Sequence, residues 1–307
     1  MPRSVLRVGT RGSALALAQA EWIRQAISKV ITHRNFELVP VVTAGDTHRG
    51  PLPAVQGGGK SLFTRDIQEA LALGKIDLAV HSAKDLPTTT PNGILLAAIP
   101  KREDPRDALI TRSGQGLRSL PPGARIGTSS MRRGMQLRAL ARGLDPVPMR
   151  GNVDTRLRKL TDGEVNAIVV AVAGLKRLGR AERVSELLPI NVMLPAPGQG
   201  ALAVECRAND RNMRAALEQL DDPDSRRAFE AERTLMLTLG GDCGVPLGAL
   251  AEADGERLRM RALVGTADGK RMIADQLEGD DPEKLGIALG ERLRELGADE
   301  IIAAANA

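Results

Sequence analysis

Two seven-residue runs of this chain, Gly74 to Val80 and Gly163 to Val169, align without a gap, and each continues to a leucine, Leu86 and Leu175. This weak internal duplication points to two similar folding units. The 307 residues are enough to bury a core in each and to leave a third domain beside them. Both units read as short β runs alternating with helices. Val5 to Val8 leads through Gly9-Thr10-Arg11-Gly12-Ser13 into a helix with Leu15, Ala18, Trp22, Ala26, Ile27 and Val30 at helical spacing, and Ser13 is the expected N-cap. Glu37 to Val42 and Asp77 to His81 are further strands, with a helix from about Leu62 to Leu73 between them. In the second unit Arg125-Ile126-Gly127 enters a helix through Thr128-Ser129-Ser130, and Val147 to Met149 is the next strand. The alternation predicts open α/β sheets, in which ligands gather beyond the carboxyl ends of the strands.

Lys101 to Asp107 and Leu194 to Gly200, both rich in punctuating residues, connect the two units, and two crossings suggest a hinge. Beyond about Asp221 the pattern changes to a helix near Arg226 to Leu239, strand-like runs Leu258 to Val264 and Arg271 to Gln276, and a helix from Pro282 to Leu296. The expected architecture is two similar hinged α/β domains resembling the lobes of periplasmic binding proteins, plus a smaller α+β C-terminal domain. The expected boundaries are 1–100 with 200–218, then 106–194, then 222–307.

Composition narrows the function. The formal net charge is +5, yet aromatic residues make up only 1% of the chain, so its basic stretches lack the stacking partners that single-stranded nucleic acids use. Small anions are the expected ligands, with no nucleic-acid or membrane partner. Two cysteines cannot build a disulfide framework, and no apolar run reaches membrane length. The start, Met1 to Arg7, has no signal-type apolar stretch. A cytoplasmic monomer is expected.

Arginines recur at the strand ends of both units: Arg11, Arg132, Arg133, Arg150, Arg156 and Arg177. A guanidinium binds carboxylate or phosphate through a planar fork, so several together suit a polyanion, although any one alone reads equally as a surface ion-pair partner. Ser13, Thr128, Ser129 and Ser130 adjoin them at helix starts, where they either meet anions or simply cap helices. Gly57-Gly58-Gly59-Lys60-Ser61 resembles a phosphate loop, but Ala54 stands where that pattern needs glycine. A flap with Lys60 as an edge contact is the better reading. His81-Ser82-Ala83-Lys84-Asp85-Leu86-Pro87 closes the third strand and puts Asp85 at the cleft, as an acid or base or as a turn residue ahead of Pro87. No metal cluster and no serine-hydrolase elbow is present in the sequence. Cys243 lies in Gly240-Gly241-Asp242-Cys243-Gly244, an attachment point or a turn filler. Cys206 sits in an apolar strand pattern.

Five runs together resemble the porphobilinogen deaminase (hydroxymethylbilane synthase) family: His81 to Asp85, Gly127 to Arg133, Arg150 to Arg156, Ala173 to Gly179 and Gly240 to Cys243, supported by Arg102 to Asp107 and Pro197 to Gly200. The match spans nearly the whole chain. It implies a transferase of tetrapyrrole biosynthesis that joins four porphobilinogen molecules head to tail, releases ammonia at each step and finally hydrolyses off hydroxymethylbilane. It also implies a dipyrromethane cofactor tethered by a thioether to Cys243 and Asp85 as the catalytic aspartate. By the same resemblance Arg11, Ser13, Lys84, Thr128, Ser129, Ser130, Arg132, Arg133, Arg150, Arg156 and Arg177 contact cofactor or substrate carboxylates. Gln56 departs from relatives that carry lysine there, so no role passes to it. The alternative is a hinged oxyanion-binding protein without catalysis, which would need neither Asp85 nor a modified thiol.

Overall fold

The computed structural model describes residues 5–47, 61–140, 143–240 and 245–306. In chain order the first unit supplies β1 (Val5–Arg11), α1 (Ala14–Ser28), β2 (Asn35–Val41), α2 (Ala44–Thr47), α3 (Ser61–Ala72), β3 (Leu78–Ser82) and β4 (Ile94–Ala98). The second supplies β5 (Asp107–Thr111), β6 (Arg125–Gly127), α4 (Met131–Ala139), β7 (Asp145–Val147), α5 (Val153–Thr161), β8 (Ala167–Ala171), α6 (Val172–Arg177) and β9 (Glu186–Leu187). The chain then continues through β10 (Leu202–Arg207), α7 (Arg211–Glu218), α8 (Pro223–Thr238), β11 (Leu247–Asp254), β12 (Arg257–Gly265), β13 (Met272–Gly279), α9 (Pro282–Glu295) and α10 (Ala298–Asn306).

The strands form two five-stranded sheets of identical plan, β2-β1-β3-β10-β4 and β7-β6-β8-β5-β9, and a three-stranded sheet β11-β12-β13. In each large sheet the first three strands are parallel, while β10 or β5 runs antiparallel between its neighbours. The expected open α/β sheets are therefore mixed. The reason is the crossing itself. β5 enters the second sheet directly from the connector that leaves β4, and β10 returns to the first sheet directly from the second connector, so each lobe is completed by a strand delivered from the other side.

The sequence duplication has a direct structural counterpart at Asp77 and Asn166. The amide of Arg7 donates to Asp77 Oδ2 at 2.9 Å, and the amide of Arg125 donates to Asn166 Oδ1 at 2.8 Å. In return the amides of Asp77 and Asn166 donate to the carbonyls of Arg7 and Arg125, each at 2.9 Å. The same side-chain position closes the start of the same parallel pair in both lobes.

Strand ends differ from the sequence expectation by a few residues. β7 ends at Val147, where the apolar pattern predicts a strand continuing to Met149, because Met149 exchanges its backbone hydrogen bonds with the Ser129 hydroxyl instead. Apolar residues of β1, β3 and β10 pack on α1 and α7, and the second lobe has two such cores, one on each sheet face. In the third domain, Asp222-Pro223 and Asp281-Pro282 start α8 and α9 with an aspartate cap and a proline in the first turn. The two helices pack closely because Gly286 lies against Ala231, whose carbonyl would be 2.6 Å from an added Cβ.

Candidate active site

The end of β3 carries the turn Ala83–Asp85, a single 3₁₀ turn that places Lys84 and Asp85 beyond the carboxyl end of the central strand of the first sheet. The turn is braced from below by the second connector. The Ala83 amide donates to the Ala201 carbonyl at 3.0 Å. Gly198, at φ +72°, lies so close that an added Cβ would be 2.9 Å from the Lys84 nitrogen. Only glycine meets both the left-handed backbone and the contact.

On one side Asp85 lines a cavity of ≈ 60 Å³ with Arg11, Ser13, Ser82 and Phe63. The Arg11 guanidinium lies 4.3 Å from the centroid of the Phe63 ring, a cation–π contact that holds its side chain over α3. Phe63 can reach it because position 45 is glycine; a Cβ there would lie 2.2 Å from the ring. Ser13 caps α1, its Oγ accepting from the Ala16 amide at 3.3 Å.

Lys84 faces the second lobe. Burial lowers its affinity for a proton, the Asp85 charge raises it, and Arg133 and Arg132 lower it again, with Asp107 opposing them. Those two arginines open α4 behind Ser130, whose Oγ accepts from the Arg133 amide at 3.4 Å. They are almost wholly buried, and their partner is a residue to which sequence reasoning assigned no role. Asp107, the first residue of β5, has no exposed surface. Its Oδ1 accepts from Arg133 Nη2 at 2.7 Å and Nε at 3.1 Å, its Oδ2 lies 2.8 Å from Arg132 Nη2, and Gln199 Nε2 donates to Oδ1 at 2.9 Å. Burial pushes the carboxyl upward, but the two guanidiniums prevail and hold it at about 2. The only sequence signal for this role is an acid at the end of the charged connector.

The remaining site candidates are spread more widely. Thr128 is buried, and its Oγ1 accepts from the Ser130 amide at 3.2 Å. Ser129 bonds the backbone of Met149 through its hydroxyl. Burial, and then the Arg133 charge, bring Arg156 down to about 10, so it remains a cation at neutral pH. Its Nε donates to the Gly151 carbonyl at 2.9 Å. Arg177 donates to the Gly200 carbonyl at 2.7 Å, which ties α6 to the second connector. Arg150 is exposed. Lys60 and Cys243 lie outside the described residues.

Lys84, Arg132, Arg133 and Arg156 thus set four cations against the carboxylates of Asp85 and Asp107 in one electrostatic group. Arg132 Nε is buried and has no hydrogen-bond partner among the described residues. An excess of positive charge with an unused buried donor fits a ligand that brings its own carboxylates, as a dipyrromethane with acetate and propionate arms does.

Comparison with known proteins decides between the readings. The family model described as "Porphobilinogen deaminase, dipyromethane cofactor binding domain" matches residues 6–215, and that of the porphobilinogen deaminase C-terminal domain matches residues 227–295. The chain belongs to the porphobilinogen deaminase family. It is 48% identical over 304 residues to the porphobilinogen deaminase of Roseiflexus castenholzii, covering 98% of this chain and 99% of the relative. With that of Nocardia farcinica it shares 50% over 309 residues, 97% of this chain and 88% of the relative. Among solved structures, the methionine-binding protein MetQ is similar with a TM-score of 0.45 at 13% identity, over 72% of this chain and 91% of that one. Porphobilinogen deaminases are transferases of tetrapyrrole biosynthesis, so the non-catalytic oxyanion-binding reading is not favoured. Among the described residues, no helix is long and apolar enough to cross a membrane.

Proposed function

We propose that this porphobilinogen deaminase family member joins four porphobilinogen molecules head to tail, releasing ammonia at each addition and hydroxymethylbilane by final hydrolysis. A dipyrromethane held through a thioether to Cys243 supplies the free pyrrole end from which the chain grows. The single observation that carries this reading is the setting of the Lys84-Asp85 turn. Asp85 shares a cavity with Arg11, while Lys84 next to it lies in the field of Arg132, Arg133 and Asp107 from the other lobe.

Arg132, Arg133, Arg156, Arg177 and Lys84, with Ser13, Thr128, Ser129 and Ser130, hold the acetate and propionate groups that every ring brings. Arg11 and Arg150 belong to the same set of cofactor or substrate contacts, and Lys60 is an edge contact. Asp85 keeps a negative charge beside the ring nitrogens, where departure of ammonia from the substrate leaves positive charge. Carboxylate-bearing pyrroles account for the basic excess without a nucleic-acid or membrane partner, and we take the working form to be a cytoplasmic monomer. Intact mass of the purified chain tests the assignment. It should exceed the sequence mass by two pyrrole units, and Cys243→Ser should abolish the excess together with product formation. An unmodified chain with full activity would overturn it.

A further inference from the structure

One buried charge near the cavity has no part in the grip described above. Glu205, on the crossing strand β10, is fully buried, and Gln68 Nε2 from α3 donates to both of its oxygens at 3.0 and 3.1 Å. His81, on β3, is 5% exposed and lies two register positions away on the same sheet face, since Ala203 pairs with His81 and Glu205 with Ala79. His81 Nε2 is 3.1 Å from Glu205 Oε2, a close contact not aligned as a hydrogen bond. The His81 ring also lines the cavity that holds Asp85 and Arg11. A buried carboxylate is costly unless paired with donors or cations, and here it stands directly behind an imidazole at the cavity wall.

We infer that His81, backed by Glu205, is a second proton-handling residue of the Asp85 cavity. The inference rests on the deaminase reading and deepens it. Each condensation must stabilise a cation and also remove a proton from the pyrrole carbon that has formed the new bond. A carboxylate that accepted that proton would lose the charge with which it stabilises the cation. Two groups divide the work. Asp85 stays ionised. The C–H bond of the coupled carbon breaks, its electron pair restores the aromatic ring, and the proton passes to the imidazole, whose new charge Glu205 offsets. The proton then leaves to solvent or to the released ammonia, which balances each addition. The arrangement is that of a base oriented by a carboxylate behind it.

The test uses the full-length enzyme, porphobilinogen deuterated at its free α-carbon, and intact mass to follow cofactor loading and successive additions. His81→Ala, brought to full cofactor loading as checked by intact mass, should turn over about a hundredfold more slowly than wild type. A deuterium isotope effect larger than the wild type's should emerge, and added imidazole should restore rate. Glu205→Gln should raise the isotope effect in the same direction and serves as the test if His81→Ala does not fold. Rates within twofold of wild type in the folded variants, or losses with neither an enlarged isotope effect nor imidazole rescue, would overturn the inference. These outcomes leave the deaminase reading standing, since that reading fails only if the wild-type chain carries no pyrrole adduct or makes no product.

Discussion

The side-chain amide of Gln199 donates to the carboxylate of Asp107 at 2.9 Å, so a residue of one interlobe connector holds the anion that ends the other. The same amide reaches the Pro105 carbonyl at 2.7 Å, and Arg102 Nε returns a bond to the Gln199 carbonyl at 2.8 Å. Around this knot Glu232 of α8 binds Arg102 through both guanidinium ends and accepts from the amides of Gly198 and Ala251. The crossing strands, the arginine pair and the third domain therefore share one polar junction.

Asp107→Asn removes the counter-charge of two buried guanidiniums and should cost about 3–5 kcal/mol. The penalty is pH-dependent in a defined sense. Because the folded carboxyl sits at about 2, below its ordinary 3.8, its contribution is complete above the ordinary value and disappears as pH falls through about 2. Thermal unfolding should show the gap between wild type and variant narrowing as pH is lowered through that window. A gap independent of pH would exclude the charge as its cause.

Asp85→Ala should leave circular dichroism and thermal midpoint close to wild type, because the side chain is partly exposed at a strand end. Turnover should fall by about 10²–10³, with KM changed far less. Equal losses in substrate binding and turnover would reduce Asp85 to a structural role.

Phe63→Leu removes the face on which the Arg11 guanidinium rests, while keeping an apolar side chain on α3. A contact of about 0.5–1 kcal/mol predicts a KM raised roughly two- to fivefold with kcat nearly constant. Steady-state kinetics that leave KM unchanged would show that the stacking does not preorganise Arg11.

Gly198→Ala forces a side chain into the left-handed region and against the Lys84 amide. We expect a loss of about 1–2 kcal/mol, measured by chemical unfolding, and slower turnover from displacement of the Asp85 turn. Full stability with full activity would mean that the connector can yield without moving the turn.

The two thiols should behave differently. Burial, reinforced by the Asp210 charge, pushes Cys206 up to about 11, and its side chain has no exposed surface, so it should resist alkylation in the native state. Denaturant should then release one reactive thiol per chain if Cys243 carries its thioether. Two reactive thiols would contradict the attachment.

Much of the fold was readable before any coordinate. The Gly74 and Gly163 runs carry the turn and strand signals of β3 and β8 at one constant offset, and Ser13 and Ser130 cap their helices because a hydroxyl ahead of an apolar helical pattern is a local signal. Strands β4, β5, β9 and β11 have no counterpart in the sequence expectation, since pairing with distant neighbours defines them more than their own composition does. The same limit hid the mixed character of the sheets. No local pattern says that Asp107 to Thr111 and Leu202 to Arg207 run against the strands beside them.

Sequence alone determined the chemistry available: basic residues at strand ends, an aspartate closing β3, a thiol on a glycine loop, and a family likeness carried by runs that are contiguous in the chain. Tertiary structure decided which of these groups face one another. Arg132 and Arg133 look from the sequence like free ligands for an anion, yet folding buries both against Asp107, and His81 acquires Glu205, 124 positions away in sequence. Charges this far apart in the chain have no local signature, because their meeting is enforced by strand pairing and burial, and only there does the cost of an unpaired ion select its partner.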